Sequence, residues 1–156
     1  MTQVLLALTS PLVAIAITVW GFRRQDRASM LRMLFEVQER YLAPPVREGR
    51  RIIHTKIAAT SGGVTDCTRE ELSVVGYALA VMNTIAISVE SGALDAGMLR
   101  GSLGRSYMQA VEAAAPFIDH VEKVRGFRPY PYAEKLAASF RQSAPPALIV
   151  GISGLG

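Results

Sequence analysis

The residues from Val4 to Phe22, VLLALTSPLVAIAITVWGF, carry no charge and stop abruptly at Arg23-Arg24. An α-helix rises about 1.5 Å per residue, so a run of roughly 19 residues spans on the order of 28 Å, close to the ~30 Å hydrocarbon core of a bilayer. Only Thr9, Ser10 and Thr18 contribute polar side chains, and hydroxyls of this kind return their hydrogen bonds to a carbonyl of the preceding turn. Trp20 stands at the boundary where interfacial aromatics collect. Residues 1–22 are therefore expected to form a single transmembrane anchor, with everything after it as cargo.

Ser10-Pro11 offers a different start, because a serine N-cap followed by proline in the first turn is a common helix opening. A helix beginning there would leave about a dozen apolar residues before Arg23, a length that suits the buried helix of a soluble protein. A cleaved secretory signal would need a basic segment before the run and small residues at a cleavage site after it. The run instead follows Met1, Thr2 and Gln3, and is itself followed by Arg23, Arg24, Arg27 and Arg32. The positive-inside bias then puts the N-terminus outside and the body in the cytoplasm. Those four arginines become candidate contacts to the membrane surface.

Charge is distributed to match. The net charge is +4, and the excess of basic over acidic residues lies between Arg23 and Lys56, whereas the remainder of the chain is close to neutral. Basic side chains near an anionic leaflet gain about 1 kcal/mol each. A nucleic-acid footprint would instead interleave basic residues with exposed aromatics or place them on a recognition helix, and neither pattern occurs, so no nucleic-acid partner is expected. Cys67 is the sole cysteine; an internal disulfide and a cysteine-based metal site are excluded, and Cys67 reads as an ordinary loop residue.

Beyond the anchor the chain reads as helical throughout. Leu31, Leu34, Phe35, Tyr41 and Leu42 recur at helical spacing, giving a juxtamembrane helix over 23–43 that Pro44-Pro45 ends. Val46 to about Thr60 forms the next helix, with Val46, Ile53 and Ile57 on one face and Arg47, Glu48, Arg50 and Arg51 pointing away. Thr68-Arg-Glu-Glu71 is a capping box. The helix it opens places Leu72, Val75, Leu79, Met82, Ala86 and Val89 at intervals of three and four and stops at Gly92. That helix is apolar nearly all round and is expected at the centre of a bundle.

Asp95 caps a further helical region reaching about Arg125, with a kink or restart at Pro116. Gly126 to Pro131 is a turn, and Tyr132 to Ser143 a short helix using Leu136 and Phe140. No segment alternates as a strand does. The expected fold is all-α: an anchor over 1–22, a helical domain over 23–143 with about four helices after the juxtamembrane one, and an apolar, Gly/Pro-containing tail over 144–156. The tail is read as flexible, or as docking into a groove on its own bundle or on a partner.

Chemistry-bearing patterns are few. His54 has no acidic residue three or four positions away, so neither a His-Glu-x-x-His nor a Glu-x-x-His metal helix can be written. Asp119-His120-Val121-Glu122 is dense in titratable groups, but helix neighbours at i+1 and i+2 do not face each other. Gly101-Ser-Leu-Gly104 and Gly151-Ile-Ser-Gly154 lack the strand and spacing of a nucleophile elbow. Arg50-Arg51 could hold phosphate or lipid headgroups, and Tyr41, Tyr107, Tyr130 and Tyr132 could line a pocket or pack between helices. No catalytic, cofactor-binding or metal-ligating residue emerges.

The arginine-rich exit, Leu31-Arg-Met-Leu-Phe-Glu36, Tyr41 and Pro45-Val-Arg-Glu-Gly-Arg50, followed in order by Glu71-Leu72, Gly92 and the aromatic-proline turn near Pro129, resembles the uncharacterised bacterial membrane proteins grouped as a domain of unknown function. Members of that group pair one membrane helix with a small helical cytoplasmic domain. The resemblance implies a bacterial inner-membrane setting and carries over no catalytic residue. The expectation is a membrane-anchored helical interaction or regulatory module, without catalysis or cofactor, whose partners are the lipid bilayer and an unidentified protein. The alternatives are an enzyme or ligand-binding bundle with an inter-helix pocket using His54 or His120, and a structural subunit of an inner-membrane complex.

Overall fold

The computed structural model describes residues 28–142, and every regular element within them is helical. The anchor, Arg23, Arg24, Arg27 and the 144–156 tail lie outside the described residues. Helix α1 covers 28–42. It is followed by α2 (Pro44–Ile52), a π turn (Ile53–Ile57), a 3-10 turn (Gly63–Asp66), α3 (Arg69–Glu90), α4 (Ala96–Leu99), a second π turn (Arg100–Gly104), α5 (Arg105–Ala113), α6 (Ala115–Arg125) and α7 (Pro131–Gln142).

The boundaries follow local chemistry. Pro44 and Pro45 occupy the first turn of α2, where a missing N–H does no harm, and so they separate α1 from α2 by Ala43 alone. Thr68 caps α3 as expected: its hydroxyl accepts from the Glu71 backbone N–H, while the Glu71 carboxylate accepts from the Thr68 N–H. Gly92 and Gly126 take the left-handed conformation after α3 and α6 (φ 76° at both).

The helical region between Asp95 and Arg125 is more divided than its periodicity suggests. Asp95 does cap α4 through the Met98 N–H, but α4 runs only four residues before the π turn. Gly104, at the end of that turn, lets the Phe140 ring of α7 approach: a Cβ there would stand 3.5 Å from Phe140 Cδ2 and 3.1 Å from Arg100 Cγ. Pro116 then forces the restart between α5 and α6 at Ala114. Among the described residues six helices, one of them only four residues long, thus follow α1.

α3 is the centre of the bundle. It is the one described helix long and apolar enough to cross a membrane by length and composition; instead, it packs against α2 and α7. Val75, Ala78, Leu79 and Met82 are fully buried. The α2–α3 contact is close because Gly49 lies against the Ala78 turn, where a Cβ would come within 2.6 Å of Ala78 Cβ. Tyr107 of α5, also fully buried, donates its hydroxyl to the Met82 carbonyl at 2.8 Å, and burial pushes the phenol pKa well up. Tyr130 likewise bonds the Gly76 carbonyl, and Asn83 Oδ1 accepts the Ala133 N–H at the start of α7.

Candidate functional site

The exposed face of α3 carries Ser73, Tyr77, Ala80, Thr84 and Ile87, at intervals of three and four and without a charge. α1 lies beside it, and the two helices enclose a groove of about 260 Å³. Met33 and Val37 of α1 face Tyr77, Val81 and Ile85 of α3. The aliphatic hydroxyls in the wall are already satisfied: Thr84 Oγ1 donates to the Ala80 carbonyl at 3.0 Å and Ser88 Oγ to the Thr84 carbonyl at 3.2 Å, while Tyr77 is left exposed. Back-bonded in this way, Thr84 and Ser88 present little polar character to the groove. One edge is polar, marked by the Glu36–Arg40 pair at 2.6 Å. The α3 wall gains from burying an apolar segment and brings no charged group of its own to desolvate, the charges being confined to the Glu36–Arg40 edge on α1.

The aromatic end of α1 joins this groove to the rest of the bundle. Tyr41, directly after the groove residue Arg40, is fully buried. Its ring stacks on Tyr107 with centroids 6.3 Å apart, and Tyr107 meets Phe140 edge-on at 6.1 Å. Arg50 was expected to point away with its neighbours, but it turns inward: its guanidinium carbon lies 4.0 Å from the Tyr41 ring centroid and Nη1 donates to Ser106 Oγ at 2.9 Å. The same hydroxyl shares a 3.0 Å hydrogen bond with Tyr41 Oη. Arg50 Nε is buried with no hydrogen-bond partner among the described residues. The reason for the inward turn is the aromatic face, which attracts a guanidinium. Arg51, the other candidate for phosphate or lipid headgroups, is exposed and held by Glu48.

The histidines are placed apart. His120 lines an open cavity of about 420 Å³ with Thr60, Ser61, Gly62, Asp119 and Lys123, whereas His54 sits exposed on the first π turn and is not part of that cavity. Asp119 and Glu122 are engaged by Arg128, which also pairs with Glu134; these three carboxylates raise the Arg128 pKa, Glu134 first. Among the described residues no group of three His, Cys, Asp or Glu side chains is arranged to hold a metal ion. Cys67 is half-buried, with its thiol directed at the Gly63 carbonyl, and desolvation raises its pKa. Of the four arginines assigned to the membrane surface, Arg32 alone is described, and it is exposed on α1. Nearby on α1, Leu31 and Phe35 are exposed, Phe35 by 65%.

Sequence reasoning located α1 and α3 but not the groove between them. Its signal was present in the uncharged positions 77, 81, 84 and 88, which repeat at helical spacing but merge with the buried stripe when the helix is read only as apolar. Ser106 carried no signal at all, since its role depends on two residues more than 50 positions away. The family model described as Domain of unknown function (DUF4760) matches residues 8–140. No curated protein and no solved structure matches the chain.

Proposed function

The chain belongs to a family of unknown function, DUF4760, and we propose that it acts as a membrane-anchored helical interaction module whose α1/α3 groove receives an apolar segment. The observation that carries this reading is the groove: an uncharged wall on the central helix, its threonine and serine hydroxyls satisfied internally, open to solvent at Tyr77, which is 54% exposed. Soluble helices ordinarily turn a charged face to water. A face without charges that is left open costs solubility and is kept where something covers it.

Its position supports the anchoring part. α1 forms the other wall and follows directly on Val4 to Phe22 and the arginines at 23, 24 and 27, so the groove would be held next to a bilayer. Leu31 and Phe35 beside Arg32 fit a helix that meets the headgroup region. The setting that follows is a bacterial inner membrane, crossed once, with the bundle in the cytoplasm and a protein partner there. The module works without catalysis.

A photo-reactive phenylalanine analogue at Tyr77, incorporated into the full chain in cells, tests the groove against the same probe at Val124, which is 72% exposed on α6. Cross-linked products, within the chain or to another protein, are expected from position 77 and not from 124. Equal labelling from both, or none from 77, would remove the groove reading.

A ligand-binding bundle is the second reading, and the cavity at His120 favours it. Its test is a shift in melting temperature with small anions such as inorganic phosphate, abolished in the Lys123→Gln variant.

A further inference from the structure

We propose that the groove is occupied by the chain's own segment Ala147-Leu-Ile-Val-Gly151. The inference rests on reading the groove as a binding surface and adds the identity of its occupant. Three observations support it. Residues 143–156, SAPPALIVGISGLG, contain no charged side chain and match a wall that has none between Tyr77 and Ser88. Five extended residues cover about 17 Å, and α3 from Tyr77 to Ser88 rises over about 16 Å, so the segment and the groove agree in length.

The third observation is proximity. α7 ends at Gln142, and Phe140, two residues earlier, is linked by the 6.1 Å and 6.3 Å ring contacts through Tyr107 to Tyr41. Tyr41 is flanked in sequence by Arg40, and one residue beyond Leu42 comes Ala43; both Arg40 and Ala43 line the groove. Residues 143–146 supply about 13 Å of extended chain between the end of α7 and Ala147. Pro145-Pro146 favours an extended backbone over a further helical turn. Leu148, Ile149 and Val150 would then be held against Met33, Tyr77 and Val81 by side-chain burial alone, because both walls are helices whose backbone groups are already paired.

Disulfide trapping in the full chain tests this. In a Cys67→Ser background, Tyr77→Cys is paired with Val150→Cys, and Val124→Cys with Val150→Cys serves as the control. Mild oxidation should close the 77–150 pair within one chain at least tenfold faster than the 124–150 pair. In the same background, deleting 144–156 should raise the rate at which a water-soluble maleimide labels Cys at position 77 several-fold. Equal intrachain rates for both pairs, or unchanged labelling after deletion, would overturn the proposal. Disulfides formed only between chains would also overturn it and assign the groove to a second copy. If trapping fails while the probe at position 77 still cross-links to another protein, the groove reading survives without this occupant; if both fail, the groove reading falls as well.

Discussion

Arg50 stacks on Tyr41, its guanidinium carbon 4.0 Å from the ring centroid, and both side chains converge on the Ser106 hydroxyl. Two hydrogen bonds to one hydroxyl therefore tie α1, α2 and α5 together. The cation has no carboxylate partner among the described residues, so its stabilisation comes from the ring and the hydroxyl.

Replacing Arg50 with Met should destabilise the bundle by about 1–2 kcal/mol, combining a cation–π contact with one charged hydrogen bond. Arg50→Lys should recover only part of this, since an ammonium lacks the planar stack. Denaturant titration of a double-mutant cycle with Ser106→Ala should show coupling, because both substitutions disturb the same hydroxyl. Strict additivity would mean that the three residues act independently.

Gly49→Ala places a methyl 2.6 Å from Ala78 Cβ and 2.8 Å from the Val74 carbonyl oxygen. Since backbone cannot yield cheaply, α2 must move away from α3, at a cost of about 1–3 kcal/mol. A melting temperature equal to that of the parent would contradict the close packing of these two helices.

Val75 and Met82 are fully buried in α3. An unpaired carboxylate at either position costs several kcal/mol, which is comparable to the whole stability of a domain this size. Val75→Asp or Met82→Asp should abolish cooperative melting followed by circular dichroism; a transition near the parent temperature would refute the core assignment.

Acid sensitivity is predicted at the start of α3. Lys56 donates to Glu71 Oε1 at 2.6 Å and the Thr68 N–H donates to Oε2, and together they hold the Glu71 carboxyl below the usual carboxylate range. A depressed folded pKa contributes stability in full above the unfolded value of about 4.3, and that contribution is lost as pH falls through the folded pKa. The Lys56 pKa is raised by the same hydrogen bond, so its share is present below about 10.4 and lost as pH rises through the folded value. Glu71→Gln should therefore melt lower than the parent at pH 7, with the difference closing below about pH 4. A constant difference across that range would assign the effect to something other than ionisation.

Local rules made much of this fold legible. The capping box at Thr68, the stop at Gly92, the double proline after α1 and the restart at Pro116 are each set by a few neighbouring residues, and they fall where the chemistry of those residues puts them. The two π turns did not announce themselves, because Ile53–Ile57 keeps Ile53 and Ile57 on the buried face in either helical form. The inward turn of Arg50 was hidden for a different reason: helical spacing assigns an arginine to solvent, and only the tertiary position of Tyr41 and Ser106 reverses that. The groove belongs to the same class, since it exists only once α1 is laid along α3.

The membrane anchor is the premise on which the groove's setting depends, and fractionation tests it most directly. The full chain, tagged after Gly156, is expressed in bacteria, and the membranes are washed in alkaline carbonate; spheroplasts are treated with external protease. The account predicts that the chain stays in the carbonate pellet and that the tag is protected. Release of the protein by carbonate would contradict it and return Val4 to Phe22 to the interior of a soluble bundle. A retained chain whose tag is removed from intact spheroplasts would contradict the cytoplasmic placement of the groove.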